Sequence, residues 1–264
     1  MNGPDLSIVV PVYNEAGNIS ELCRRLTDTL DGMACPYEVI FVDDGSQDGT
    51  LRCLKDIHAR NPRVGVITMA RNFGHQAAVT AGIDHARGKA VVVMDGDLQD
   101  PPEVIPALVQ RWREGYDVVY AIRTQRKESL PKRLAYRLFY RLLKSISDTD
   151  IPLDAGDFSL IDQKVASVLR QMPEKNRFVR GLRSWVGFTQ TGVEYERAAR
   201  FEGKPKYGFK ALLGLATNGF VSFSKLPLRI ATYVGLFVSL MALMASVAVL
   251  VLRLVTAVKP QGWT

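Results

Sequence analysis

The stretch that decides the fold is Ala90–Asp100, AVVVMDGDLQD, in which an apolar run passes directly into an acidic turn. An apolar, β-branched run that ends at Asp and Gly is typical of a buried strand followed by a turn. The turn carries Asp95, Asp97 and Asp100. Ligands of open parallel sheets bind beyond the carboxyl ends of the strands, so we expect these carboxylates at a ligand site.

Short apolar runs and longer helical patterns alternate through the first 120 residues. The other apolar runs are Leu6–Val10, Val39–Val42, Val64–Thr68 and Val118–Ala121. The helical patterns lie near Asn18–Leu30, Gly49–Arg60, His75–Arg87 and Pro102–Arg113. This alternation predicts an α/β fold with a mostly parallel central sheet. Neither a Gly-x-Gly-x-x-Gly after the first run nor a P-loop motif occurs, which argues against a dinucleotide oxidoreductase and a P-loop NTPase.

Acidic residues also follow the first two apolar runs. Glu15 comes after the first run, and Asp43 and Asp44 end the second. Three acidic clusters at one edge of a sheet would repel one another in an empty site. A divalent cation and sugar hydroxyls would explain them, because carboxylates supply hard oxygen ligands and accept hydrogen bonds from hydroxyls.

The C-terminal part has a different composition. Residues 230–252, IATYVGLFVSLMALMASVAVLVL, carry no charge. At 1.5 Å per residue this run is roughly 34 Å long, enough to cross a bilayer core. A buried core helix of that length would usually keep a polar face, so the run predicts a membrane span. Basic residues flank both ends and do not fix its orientation, but the N-terminus has no signal-peptide pattern, which favours a cytosolic catalytic domain.

Two further helices are predicted before the span. Residues 131–147, PKRLAYRLFYRLLKSIS, form a basic amphipathic pattern that fits either a membrane surface or a packed helix with a solvated face. Residues 209–223 form an apolar pattern expected at the membrane interface. The net charge is +7. The excess lies in residues 121–150 and 196–210, and such basic patches suit anionic partners.

Several motifs together resemble family 2 glycosyltransferases with the GT-A nucleotide-sugar-binding fold. They are PVYNE at 11–15, VDDGS at 42–46, RNFG at 71–74 and MDGDLQ at 94–99. The segments DAGDFSL at 154–160 and GKPKY at 203–207 resemble the polyprenyl-phosphate branch of that family, which includes bactoprenol glucosyltransferases and dolichyl-phosphate mannose synthase. The similarity covers essentially the whole chain.

The resemblance implies an organisation along the chain. A GT-A catalytic domain would occupy 1–200, an interfacial helix region 201–229, a transmembrane helix 230–252 and a tail 253–264. The tail resembles the loop that precedes a second membrane helix in the bactoprenol branch, so we expect either a truncation or an unusually short protein.

The resemblance also implies roles on the donor side. Asp95, Asp97 and Gln99 would hold Mg²⁺ or Mn²⁺, with Asp97 counted as catalytic because the metal stabilises the leaving diphosphate. Arg123 and Arg126 would add to that stabilisation, and ordinary surface charge explains either arginine equally well. The residues expected to bind the nucleotide sugar are Pro11, Tyr13, Glu15, Asp43, Asp95, Arg123 and Arg126.

On the acceptor side, the resemblance assigns a catalytic carboxylate to Asp157, as a base or an orienting group, with capping of a helix or loop as the alternative. A phosphate monoester is already largely ionised near pH 7, so a strong base is less necessary than cations that hold the phosphate. Arg200, Lys206 and Arg197 are the expected phosphate ligands, with Lys204 beside them.

The function implied is inverting, metal-dependent transfer of a hexose to undecaprenyl (polyprenyl) phosphate at the cytosolic face of the inner (plasma) membrane, with UDP-glucose the favoured donor. The branch also suggests a homo-oligomer, with membrane lipid as a further partner. A glycosyltransferase that uses a glycan or other hydroxyl acceptor is the alternative. A module that binds anionic lipid or nucleic acid would leave the acidic strand ends unexplained, and its basic patches lack interleaved aromatics. We therefore expect no nucleic acid partner.

Two other features are expected to be structural. His75 follows Gly74 at a predicted helix start and is expected to cap or pack there, with a catalytic role as the alternative. Residues 180–185, RGLRSW, weakly resemble the Gln-x-x-Arg-Trp signature of processive polysaccharide synthases. The stretch has neither the Gln nor an adjacent Arg-Trp, so it predicts no processivity.

Overall fold

The computed structural model describes residues 3–123, 155–174, 177–196 and 226–255. Contacts divide the chain into two units, one formed by 1–144 and 149–208 and the other by 145–148 and 209–264. The described part of the first unit contains a seven-stranded sheet with helices around it, and that of the second contains one long helix.

The strands are β1 (Leu6–Val12), β2 (Tyr37–Asp43), β3 (Val64–Thr68), β4 (Ala90–Val93), β5 (Val118–Arg123), β6 (Ala155–Asp162) and β7 (Gln190–Tyr195). The α-helices are α1 (Ala16–Asp31), α2 (Thr50–Arg60), α3 (His75–His85), α4 (Ile105–Arg113), α5 (Gln163–Gln171), α6 (Val179–Trp185) and α7 (Leu226–Val255), and a 3₁₀ turn, Pro102–Val104, precedes α4. The alternation predicted for the first 120 residues is thereby confirmed.

The strand order is β3-β2-β1-β4-β6-β5-β7. Strand β6 runs antiparallel to both of its neighbours, and every other neighbouring pair is parallel. In the pairing of β4 with β6, Val93 lies opposite Ser159. The N-terminal end of β6, with Asp157, therefore lies at the same edge as the carboxyl end of β4, with Asp95.

The sheet buries both of its faces, as expected for a mostly parallel sheet covered by helices. Successive side chains of a strand point to opposite faces, so Ile8 and Val10 of β1 join one core and Val9 joins the other. The first core also receives side chains from α1, α2 and α4, and the second receives them from α3, α5 and α6. Both layers hold the strand ends in place at the edge where the acidic residues lie.

In the second unit, α7 is apolar along nearly its whole length. The segment Ala231–Val255 has a mean hydropathy of 2.6, and none of its most apolar window is buried. By length and composition the helix can cross a membrane, and it contains the predicted span 230–252. The helices predicted at 131–147 and 209–223 lie outside the described residues.

Candidate active site

The loop after β4 is packed tightly against the end of β1. A Cβ on Gly96 would lie 2.7 Å from Cγ1 of Val12, so a larger residue would have to displace that buried side chain. Leu98 adopts a left-handed backbone with φ of 60° and is buried in the core. The backbone amide of Gln99 donates a hydrogen bond to Oδ1 of Asp97 at 3.1 Å. These contacts fix the loop that carries the predicted metal ligands.

The ends of β1 and β2 are joined by hydrogen bonds. The backbone amide of Asn14 donates to Oγ of Ser46 at 2.9 Å, and the backbone amide of Ser46 donates to Oδ1 of Asp43 at 3.2 Å. The side chain of Asp43 is buried, and its Oδ2 has no hydrogen-bond partner among the described residues. A buried carboxylate oxygen without a partner is costly, so this atom is suited to accept a hydrogen bond from a ligand.

Asp44, the neighbour of Asp43, stabilises a loop, a role that the sequence did not predict. Its carboxylate accepts hydrogen bonds from the amides of Phe73 at 2.7 Å and Gly74 at 2.9 Å. Asp44 thus fastens the loop that leads into α3. Because His75 is the first residue of α3, these contacts also determine where the imidazole lies.

The imidazole of His75 lies between two carboxylates. Its Nε2 is 3.7 Å from Oδ1 of Asp95 and 3.5 Å from Oδ2 of Asp157. Burial alone would lower the pKa of His75, but the two carboxylates outweigh it and raise the pKa to about 9. The expectation that His75 only caps or packs missed this contact. His75 joins the predicted donor side of the site to the predicted acceptor side.

Asp95 and Asp157 have pKa values shifted in opposite directions. Burial raises the pKa of Asp95 to about 6, with further increases from the carboxylates of Asp100, Asp157 and Asp97 and an opposing effect of His75. Burial also raises the pKa of Asp157, but His75 and the guanidinium groups of two arginines outweigh it and hold the pKa well below its ordinary value. The arginines are Arg180 and Arg183.

Both arginines come from the short helix α6. Nη2 of Arg180 is 3.2 Å from Oδ2 of Asp157. Arg183 is only 2% exposed, and burial lowers its pKa to about 10 although Asp157 opposes the change. Within the described part of the chain, Nε and Nη2 of Arg183 have no hydrogen-bond partner. Asp157 is therefore the carboxylate that balances this buried positive charge.

The loop after β4 is also held from its far end. Asp100 is fully buried and accepts a short hydrogen bond from the hydroxyl of Tyr195, at the end of β7. Nε of Arg123 donates to the same hydroxyl at 3.1 Å, and its Nη2 is 3.7 Å from Oδ1 of Asp100. Arg123, expected to bind the leaving diphosphate, thus contacts Asp100 and Tyr195 in the structure.

The residues around Asp95 fit a divalent cation of the Mg²⁺ type. The carboxylates of Asp97, Asp100 and Asp157 all raise the pKa of Asp95, and a cation would relieve that repulsion. No group of three or more His, Cys, Asp or Glu side chains in the described ranges is placed to hold a metal by itself. Mg²⁺ typically takes one or two carboxylates, several waters and substrate phosphates, so it needs no larger protein cage.

The structure thus brings together part of the predicted site. Asp95 and Asp97 lie on one loop with Gln99, and Asp157 lies close to Asp95 across His75. Pro11 ends up within β1, and Tyr13 and Glu15 follow that strand, with the amide of Glu15 donating to Oγ1 of Thr50 at 2.8 Å. The predicted residues Arg126, Arg197, Arg200, Lys204 and Lys206 lie outside the described residues.

Comparison with known proteins adds to this geometry. The family model described as glycosyl transferase family 2 matches residues 7–170. The glycosyltransferase YkcC of Bacillus subtilis (strain 168) is 48% identical over 98% of this chain and 80% of its own length. The bactoprenol glucosyl transferase of Shigella phage SfV is 40% identical over 89% of this chain and 76% of its own length.

Solved structures agree with the fold. A mannosyltransferase from Pyrobaculum calidifontis, in complex with GDP-Man and Mn²⁺, superimposes with a TM-score of 0.53 over 80% of this chain and 60% of its own, at 21% identity. TarS of S. aureus in complex with UDP-GlcNAc gives a TM-score of 0.54 over 83% of this chain and 67% of its own, at 17% identity. At these identities the likeness concerns the fold, which confirms the predicted GT-A architecture.

Proposed function

Because the chain belongs to glycosyl transferase family 2, we propose that it transfers glucose from UDP-glucose to undecaprenyl phosphate at the cytosolic face of the plasma membrane. The observation that carries the proposal is the meeting of Asp43, Asp95 and Asp157 at one edge of the sheet, in a chain that resembles bactoprenol glucosyl transferase. The helix α7 supports a membrane location because it is long and apolar enough to span a bilayer.

On the donor side, Asp43 accepts a hydrogen bond from the nucleoside through Oδ2, which has no partner in the described part of the chain. Pro11, Tyr13 and Glu15 line the same region after β1. Asp95, Asp97 and Gln99 are the residues that would hold Mg²⁺ or Mn²⁺. When bound, such an ion would supply positive charge to offset the charge of the leaving nucleoside diphosphate.

On the acceptor side, a phosphate oxygen is the nucleophile in a single inverting displacement. This oxygen is already largely ionised near pH 7, since the second pKa of a phosphate monoester is about 6. Asp157 then serves to orient groups rather than to accept a proton, which agrees with its lowered pKa. Arg197, Arg200 and Lys206 are proposed to hold the acceptor phosphate.

The same electrostatics weigh against a neutral hydroxyl acceptor, which needs a strong base to remove its proton. In the metal-free protein, the contacts with Asp157 and Asp95 raise the pKa of His75 to about 9, so its imidazole is protonated at neutral pH and is not poised to act as that base. Asp157 is a weak base because its pKa is held so low. A phosphate acceptor requires neither residue to take a proton.

The first test measures transfer of radiolabelled glucose from UDP-glucose into organic-extractable lipid, with undecaprenyl phosphate and Mg²⁺ or Mn²⁺ present. GDP-mannose and other UDP-sugars serve as competing donors. We expect label in the lipid from UDP-glucose, and loss of that label on adding a chelator. Label that appears only in water-soluble glycan, or in no product although the protein binds UDP, would contradict the proposal.

The variant Asp97→Ala tests the metal assignment in the same assay. Loss of a ligand to the cation is expected to abolish lipid labelling, while the thermal unfolding midpoint stays close to that of the wild type. Asp56→Ala is the matched control, because Asp56 is an exposed carboxylate on α2. Full turnover by Asp97→Ala would contradict the role of Asp97.

A further inference from the structure

Helix α6 presents two arginines to the site from one of its faces. Arg180 and Arg183 are three residues apart, the spacing at which helical side chains are neighbours. Nη2 of Arg180 reaches Oδ2 of Asp157 at 3.2 Å, and Arg183 is buried close enough to Asp157 to lower its pKa. Three elements therefore meet at one carboxylate: α3 through His75, β6 through Asp157, and α6 through its arginines.

Cationic groups outnumber carboxylates around Asp157. Asp157 faces the cationic groups of His75, Arg180 and Arg183, and the other carboxylate in contact with His75 is that of Asp95. A buried charge needs a partner of opposite sign, because its desolvation is otherwise uncompensated. The Asp157 carboxylate is thus held from several sides and cannot turn freely.

We propose that Arg180 is a positioning residue for the sugar transfer: it fixes the orientation of the Asp157 carboxylate from α6. This inference rests on the proposed function, which gives Asp157 an orienting role in the reaction. The signal in the sequence is the RGLRSW stretch at 180–185, which puts arginines one helical turn apart.

The contact of Arg180 differs from an ordinary surface ion pair. The side chains of Arg180 and Asp157 are only 27% and 20% exposed, and Nε of Arg180 is buried without a hydrogen-bond partner among the described residues. Exposed ion pairs contribute little because water screens them, whereas this pair is largely shielded from water and its attraction is screened less. Arg180 is therefore expected to act on the reaction through Asp157.

The kinetic test compares Arg180→Met and Arg180→Lys with wild type, using UDP-glucose and undecaprenyl phosphate. Arg180→Met is expected to lower kcat by about 10- to 100-fold with little change in either KM, a size typical of residues that orient a functional group. Arg180→Lys should recover part of kcat, since it restores the charge but not the planar guanidinium.

Arg177→Met is the matched control. Arg177 is another partly buried arginine, and it donates to the backbone carbonyls of Arg170 and Met172 rather than to the site. We expect its kcat to equal that of wild type. An Arg180→Met enzyme with wild-type kcat would overturn the inference. So would a higher KM for undecaprenyl phosphate at unchanged kcat, which would make Arg180 a phosphate ligand.

A double-mutant cycle that combines Arg180→Met with Asp157→Asn tests the contact between Arg180 and Asp157 without any substrate. If Arg180 acts through Asp157, the shifts in thermal unfolding midpoint of Arg180→Met and Asp157→Asn should not add in the double variant. Additive shifts would overturn the inference whatever the reaction is. Absence of glucose transfer by the wild type, with a non-additive cycle, would instead overturn the proposed function alone.

Discussion

Two carboxylates of the same site, Asp95 and Asp157, lie on opposite sides of one imidazole and have opposite electrostatic surroundings. Asp95 is 3.7 Å from Nε2 of His75, and other carboxylates crowd it and raise its pKa to about 6. Asp157 is 3.5 Å from the same nitrogen, and cationic groups around it hold its pKa far below the ordinary value. Opposite shifts in neighbouring groups of one type indicate different roles.

The difference shows how the site divides its charges. The side around Asp95 has surplus negative charge and is suited to a cation that arrives with the donor diphosphate. The side around Asp157 contains its own cations, from α3 and α6, and needs no metal. His75 lies between the two sides and contacts both carboxylates.

The largest expected effect comes from neutralising each carboxylate in turn, in metal-free protein. Asp157→Asn leaves Arg180 and Arg183 without their counter-ion and His75 with Asp95 alone, and we expect the unfolding midpoint to fall by about 5 to 10 °C. Asp95→Asn removes a charge that its surroundings disfavour, so the midpoint should stay the same or rise. Thermal unfolding followed by circular dichroism measures both.

Activity and metal response sharpen the same comparison. Both variants are expected to lose most of their transfer activity, but only Asp95→Asn should lose the stabilisation that Mg²⁺ with UDP gives the wild type. Asp157→Asn should keep that stabilisation, because the proposed ligands are intact. An equal fall in unfolding midpoint for the two variants would show that the two sides are not electrostatically different.

The second prediction concerns the pH dependence of stability and the residue between the two sides. The pKa of His75 is raised to about 9 in the folded protein, above the unfolded value of about 6.5. Its ionic contacts therefore stabilise the fold fully below pH 6.5, and this contribution is lost as the pH rises through 9. We expect the unfolding midpoint of metal-free wild type to fall by a few degrees between pH 7 and 9.5.

His75→Gln should flatten this part of the pH profile, since it has no titrating group in that position. His85→Gln is the control, because His85 is an exposed histidine on the same helix whose Nδ1 contacts the backbone oxygen of Ala81. If His75→Gln kept the wild-type slope while His85→Gln removed it, His75 would not be the charged link between the two carboxylates.

The two sides also differ in how well their residues can be predicted from the sequence. The proposed metal ligands of the donor side lie in one contiguous stretch: Asp95 and Asp97 follow a run of apolar residues, and strand ends of parallel sheets carry ligand-binding groups. The acceptor-side cations come from residues 75, 180 and 183, which are distant in sequence from Asp157. Only the packing of α3 and α6 on the sheet brings them together.

The fold shows a similar division. The first five strands were predicted because each is a compact apolar run. Strands β6 (AGDFSLID) and β7 (QTGVEY) were not, since polar residues interrupt both. Their strand character follows from pairing with β4 and β5, and pairing with neighbours commonly outweighs local preference in sheets. Because Asp157 lies on β6, the meeting of Asp157 with Asp95 could not be read from local pattern either.

The smallest expected effect concerns Tyr195, which fixes the donor-side loop from β7. Its hydroxyl donates to the buried carboxylate of Asp100 and accepts from Nε of Arg123 at 3.1 Å. Tyr195→Phe removes a hydrogen bond to a charged group but keeps the ring, which packs edge-on against Phe158 at 5.8 Å. We expect the Mg²⁺ concentration for half-maximal transfer to rise by about 3- to 10-fold.

In the Tyr195→Phe experiment, the change should be confined to the donor side. KM for undecaprenyl phosphate should stay near the wild-type value, because the lost hydroxyl contacts Asp100 and Arg123 on the donor side. Tyr116→Phe is the control, since Tyr116 packs against the first core. A change in KM for undecaprenyl phosphate with unchanged Mg²⁺ dependence would contradict this prediction and would assign Tyr195 to the acceptor side.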